Sequence, residues 1–237
     1  MENSDSDICH KNMTPPTMFH KRQAGKSQTL KTQTRKTQTR KSQTSALKSR
    51  VMEVSLAHFS DVGIEQTNVG DILQDADCSV GSLYHHFGSK EGIAEALFVE
   101  GVDHFNAGLL AALLPRRTAS TGIKAMVTFC CEWVTDQPQL AAFLLSREIK
   151  LSELARLELR EKDRAFGQST YDWFAPHVKS GELQALPTGL YMPLICGPTL
   201  ECSRMWLSGR SARSPGEAAA ILAEASWQSV RKSVRKS

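Results

Sequence analysis

The segment Ser79-Val80-Gly81-Ser82-Leu83-Tyr84-His85-His86-Phe87-Gly88-Ser89-Lys90 constrains this chain most, because it joins a helix start made of small residues to a crowded aromatic end. A helix whose first turn approaches base edges in a major groove cannot carry bulky side chains there. Val80, Gly81 and Ser82 meet that condition. Ser79 is the expected N-cap, its hydroxyl accepting from a free backbone N–H, and the open helix N-terminus favours a nearby phosphate.

Upstream, residues 68–75 read as a second short helix, with Asn68 as cap and Val69, Ile72 and Leu73 spaced to bury one face. Ala76-Asp77-Cys78 is the turn between the two. Earlier still, Leu47, Val51, Val54 and Phe59 recur at helical spacing, and Gly63 stands where a left-handed C-terminal residue is expected. Three short helices of this kind make a helix-turn-helix unit.

These residues carry a resemblance. The stretch from Val51 to Leu97 resembles the N-terminal DNA-binding domain of TetR-type transcriptional regulators. The likeness rests on Phe59 and Gly63, on Thr67 and Val69-Gly70-Asp71-Ile72, on Ser79, Gly81 and Leu83-Tyr84, and on His86-Phe87 with Ser89-Lys90-Glu91. It implies that Val80, Gly81, Ser82 and His85 approach bases, while Thr67, Tyr84, His86 and Lys90 contact or position the phosphate backbone. Leu83 and Phe87 are assigned to the core. The chain departs from the family at Asp77, where glycine is usual, at Cys78, usually hydrophobic, and at His58, usually leucine. Aspartate tolerates the left-handed conformation, so the turn is expected to survive.

Beyond Lys90 the spacing of apolar residues predicts helices over about 90–114, 121–135, 138–146, 153–179, 188–207 and 215–232, with no strand alternation between them. The expected fold is all-α. It comprises a disordered basic arm (1–45), a helix-turn-helix domain (46–92) and a helical effector-binding and dimerisation domain (93–237). TetR-like proteins dimerise through their last two long helices. The resemblance therefore offers Leu190, Leu194, Ile195, Cys202, Trp206, Ala218, Ile221, Leu222 and Ala225 as the seam. Pro193 and Pro198 are candidates to kink the first of these helices. For the variable effector pocket, the aromatic and polar candidates are Phe105, Phe129, Trp133, Phe143, Arg147, Tyr171 and Phe174. Ordinary core packing competes with that role at each aromatic, and a solvated pair with Glu148 competes at Arg147.

The first 45 residues contain a pentapeptide repeat beginning at Lys26, Lys31, Lys36 and Lys41, with nothing in it to form a core. Of the chain's 29 Lys+Arg, nine lie in residues 1–45. Residues 46–92 hold three basic residues, Lys48, Arg50 and Lys90, against seven acidic ones. A DNA-binding head with that balance suggests that the arm supplies phosphate attraction, each contact releasing counterions. An arm without function is the competing account.

Six cysteines, at 9, 78, 130, 131, 196 and 202, show no zinc spacing and are expected to be mostly apolar filler. Cys78 differs, since oxidation in the turn beside the recognition helix would couple redox state to DNA release. No cofactor or metal motif is present. No continuous apolar run suits a membrane span or a secretory leader, and a cytoplasmic location is expected. The expected partners are double-stranded operator DNA, a small-molecule effector and a second copy of the chain, with repression as the family default. Two other accounts compete: a helical enzyme or scaffold with a degenerate head, for which no nucleophile or metal motif is found, and nonspecific nucleic-acid binding through the arm.

Overall fold

The computed structural model describes the backbone of residues 24–146 and 149–233, with side chains from residue 43 onward except that of Thr188. Two compact units divide at Ala46 and Leu47. The described part of the first unit belongs to α1 (Ala24–Val62), whose backbone runs through the pentapeptide repeat. The stretch 26–46 contains neither glycine nor proline, and extending an existing helix adds a hydrogen bond per residue without the cost of nucleation. Its Lys, Gln, Thr and Arg residues offer no apolar stripe.

In the second unit, the end of α1 is followed by α2 (Val69–Asp75), α3 (Val80–Phe87) and α4 (Lys90–Leu113). Local chemistry sets each boundary. Gly63 ends α1 at φ 82°, its N–H donating to the Phe59 carbonyl. Asn68, Ser79 and Ser89 each cap the helix that follows through a side-chain oxygen. Asp77 is the one described non-glycine residue at positive φ, 45°. Arg50 supports that turn, its guanidinium donating to the Asp77 carbonyl at 3.1 Å. His58, the other departure in this region, meets the Asp75 carboxylate at 2.9 Å. Val51, Phe59, Ile72, Ala76, Leu83, Ile93 and Leu97 bury together beneath the three short helices.

Five further helices follow: α5 (Ala119–Asp136), α6 (Pro138–Leu145), α7 (Glu153–Ser180), α8 (Tyr191–Leu207) and α9 (Pro215–Val230). The stretch 188–190, expected to begin α8, is a single 3-10 turn. Pro193 thus falls in the first turn of α8, where no intrahelical partner is needed, and Pro198 lies inside the helix. Among the described residues there is no strand, only one isolated bridge between Leu183 and Arg231. α4 is long and apolar enough by composition to cross a membrane, an exception to the sequence expectation, but its Ile93, Leu97, Leu109 and Leu113 are buried in this unit.

α5 is the central element, packed on α4, α8 and α9 with Ile123, Met126, Val127, Cys130 and Cys131 inside. The hydrogen bond with Cys196, then burial, push the Cys130 thiol well above its ordinary value, and burial pushes Cys131 up to about 11, as befits apolar filler. The N-terminus of α5 is closed by Glu182, which accepts from the Ala119 N–H at 2.9 Å and from His177. That backbone hydrogen bond, followed by His177, holds the Glu182 carboxyl below its ordinary range. α7 is joined to α4 at two places. Glu95 accepts from the Ser152 N–H and from its hydroxyl at 2.9 Å, and Lys162 meets Asp103 at 2.8 Å.

Gly122 marks the tightest approach in this core: a Cβ there would lie 2.2 Å from the Trp173 ring. Gly122→Ala is therefore expected to cost about 1–3 kcal/mol through overpacking, measured by urea denaturation. An unchanged midpoint would show that Trp173 is free to move aside.

Candidate functional site

α3 is held by Leu83, 1% exposed, with Phe87 half-buried one turn later. With that face down, Val80 (56% exposed), Gly81, Tyr84 (50% exposed) and His85 stand outward as one surface. Ser82 is half-buried, and its N–H donates to the Ser79 hydroxyl. A Cβ on Gly81 would meet no neighbour, so the protein itself does not require glycine there.

The residues expected at the phosphate backbone divide. Tyr84 is open to solvent. His86 is half-buried, its ring 5.0 Å from that of His85. Burial, then the charges of His85 and Lys48, keep its pKa below the ordinary histidine value. Thr67, by contrast, is 4% exposed, and its hydroxyl donates to the Gly63 carbonyl at 2.7 Å. Lys90 reaches back to the Glu65 carbonyl at 2.8 Å and the Thr67 carbonyl at 2.9 Å. Both residues clamp the loop between α1 and α2. Of the three basic residues of the head, Lys48 alone makes no hydrogen bond or ion pair among the described residues. Cys78 is half-buried, its thiol donating to the Ser79 carbonyl.

The effector candidates do not form one group. Phe105, Phe129 and Trp133 cluster between α4 and α5, with Phe105 centroids 5.7 Å and 5.0 Å from the other two. Phe143 sits in the core of the head, stacked 6.2 Å from Phe59, because α6 packs its apolar face back against α4. Arg147 lies outside the described residues. Tyr171 and Phe174 do line a cavity of about 280 Å³, with Thr170, Ala175, Val178 and Lys179 of α7 and with Ala185, Leu186, Tyr191 and Met192. Sequence analysis missed those eight. The signal within α7 was available: positions 171, 174, 175 and 178 share one helical face.

The proposed seam also divides. Ile195 is fully buried within the protomer, and Ser226 donates to its carbonyl, so it belongs to the internal contact of α8 with α9. Four-residue spacing carries Thr199 and Ser203 inward with it. Trp206 packs beside Trp133, and Leu222 packs against the main core. Leu190 and Ile221 stand out at 46% and 68% exposed, Ala225 is exposed, and Leu194, Cys202 and Ala218 are half-buried.

A compact trihelical head presenting a capped, small-residue helix start defines a helix-turn-helix unit. Residues 51–97 match the model described as bacterial regulatory proteins, tetR family. The HTH-type transcriptional regulator UidR of Escherichia coli K12 is 23% identical over 128 residues, which cover 48% of this chain and 65% of that protein. This chain thus spans slightly less than two thirds of that relative. The HTH-type transcriptional repressor KstR2 of Mycobacterium tuberculosis H37Rv is 40% identical over 50 residues, 21% of this chain and 25% of that one. Among solved structures, a bacterial regulatory protein of the tetR family from Rhodococcus RHA1 superposes with TM-score 0.67 at 20% identity, covering 79% of this chain and 98% of that one. FadR from Bacillus subtilis, solved with stearoyl-CoA, gives 0.65 at 17%, covering 77% and 98%. Residues 51–97 are thus similar to the tetR-family regulatory domain, and the helical fold around them is shared with solved structures of that kind.

Two substitutions separate reading DNA from holding the head together. Tyr84→Ala is expected to weaken duplex binding about tenfold, about 1.4 kcal/mol, and to leave the melting temperature unchanged. Lys90→Met should cost about 2 kcal/mol of stability by releasing two carbonyls from a charged donor. Loss of binding by Lys90→Met with full stability would return Lys90 to the phosphate backbone.

Proposed function

We propose that the protein is a ligand-responsive, sequence-specific DNA-binding transcriptional regulator. The observation that carries this reading is the outward face of α3, where Val80, Gly81, Tyr84 and His85 are exposed around a capped helix start. As a dimer, two such helices spaced by about 34–36 Å would read successive major grooves of a palindromic site. The exposed Ile221 and Ala225 of α9, and Leu190 in the turn before α8, offer apolar surface for that dimer. Repression is the reading favoured by the repressor named among the relatives.

The response to a ligand runs through α7. A molecule in the cavity would bear on Tyr171 and Phe174, and α7 is tied to α4 at Ser152–Glu95 and Lys162–Asp103. α4 starts at Lys90, directly after the recognition helix and its turn. A shift of α7 would thus tilt the element on which the head is mounted. DNA and ligand then favour two different arrangements of one equilibrium.

The head's shortage of free positive charge supports an auxiliary role for the basic residues of 1–45. Selection of binding sites from random duplex DNA, run in parallel with the full chain and with residues 46–237, tests both points. An enriched palindrome with both proteins, and a shallower salt dependence for the shorter one, is the expected result. Sequence-independent binding, lost with residues 1–45, would support a nonspecific binder instead.

A further inference from the structure

We propose that the cavity between α7 and α8 takes an amphipathic monoanion: an apolar body of modest size ending in a single negatively charged head, which Lys179 receives. The proposal rests on the regulator reading and specifies the chemistry of its effector.

The hydroxyl donors among the buried lining residues are already committed. Thr170 is 5% exposed, and its hydroxyl donates to the Phe166 and Gly167 carbonyls, 3.0 and 2.9 Å away. The Tyr191 hydroxyl donates to the Gln184 carbonyl at 2.7 Å and accepts from the Leu186 N–H at 3.2 Å. The rest of the lining is mostly carbon: Phe174 stacked on Tyr191 at 5.1 Å, with Ala175, Val178, Leu186 and Met192. A ligand body with polar groups along it would lose its water there and gain few partners. The volume, about 280 Å³, is at the small end for ligand cavities, which span about 300–1,000 Å³.

Two exposed lining groups have no hydrogen-bond partner among the described residues, the Tyr171 hydroxyl and the Lys179 ammonium. They lie about 12 Å apart along α7, from eight residues at about 1.5 Å each. Among the described residues Lys179 makes no side-chain hydrogen bond or ion pair. Two of the last four carbonyls of α7 are already served, that of His177 by the Glu182 and Leu183 N–H groups and by the Ser180 hydroxyl, that of Val178 by Gly181. The nearest carboxylate in sequence, Glu182, is committed to Ala119, His177 and Ser180. Among the described residues no acid pairs with Lys179. A second ammonium, that of Lys232, lies beside Gly181, 3.5 Å from where a Cβ would stand. An uncompensated cation at the mouth of an apolar cavity selects a ligand with a negative head.

Calorimetry on the full chain with octanoate, octanol and octylammonium, each below its micellar concentration, tests this. Octanoate is expected to bind at least tenfold tighter than octanol, with octylammonium weakest. Lys179→Met should cut octanoate affinity about tenfold and leave octanol unchanged. Ala175→Trp, which fills the cavity from α7, should abolish all binding while the protein still melts cooperatively. Equal affinity for octanol and octanoate, or an unchanged octanoate affinity in Lys179→Met, would overturn the anionic assignment. Absence of all binding by folded wild-type protein would overturn it as well. Site selection on the same preparation keeps the two readings apart, since an enriched palindrome without octanoate binding leaves the regulator standing and removes only its proposed effector.

Discussion

The burial of Leu83 is the contact on which the proposed DNA-reading surface depends. α3 has only eight residues, too few to hold a helix on its own. One fully buried leucine contributes about 1.5–3 kcal/mol, and in a helix this short it also sets the rotation. With Leu83 against Ile72, Ile93 and their neighbours, Val80, Gly81, Tyr84 and His85 face outward together. A rotation of α3 by one residue would bury Tyr84 and destroy the surface. Caps at Ser79 and Ser89 then fix where the helix begins and where the next one takes over.

A second constraint is electrostatic. Two of the three basic side chains in the head are spent on its own backbone: Arg50 on the Asp77 carbonyl, Lys90 on the carbonyls of Glu65 and Thr67. Each supports a loop or turn bordering the helix-turn-helix motif. The head thus converts positive charge into geometry and retains little for attracting phosphate. This gives the basic residues of 1–45 a physical reason to matter, and it accounts for a departure from the family pattern: an aspartate replaces glycine in a turn that a guanidinium braces from α1.

Much of the fold was legible because its boundaries are set by neighbours in sequence. Asn68, Ser79 and Gly63 act within a few residues of themselves, and helical periodicity brought α2 to α9 out close to their observed ends. The clamps were illegible because Arg50 and Asp77 are 27 residues apart, and Lys90 and Thr67 are 23 apart. Thr67 and Lys90 match a family pattern equally well whether they meet phosphate or each other's loop. The cavity was half visible. Tyr171 and Phe174, singled out by their chemistry, line it, but Tyr191 and Met192 arrive from another helix, and nothing local tells that Phe143 joins the core of the head. Ile195 shows the same limit: an apolar residue on an expected seam helix may face the partner or its own protomer, and only the packing of α8 on α9 decides.

The central claim is that the outer face of α3 enters the major groove, once per protomer of a dimer. Methylation interference on a selected duplex tests it most directly, because guanine N7 faces the major groove and adenine N3 the minor groove. The account predicts interference at guanine N7 in two symmetric patches about one helical turn apart, weakened in both patches by Tyr84→Ala. Interference confined to adenine N3, or none at any base while binding persists, would contradict it.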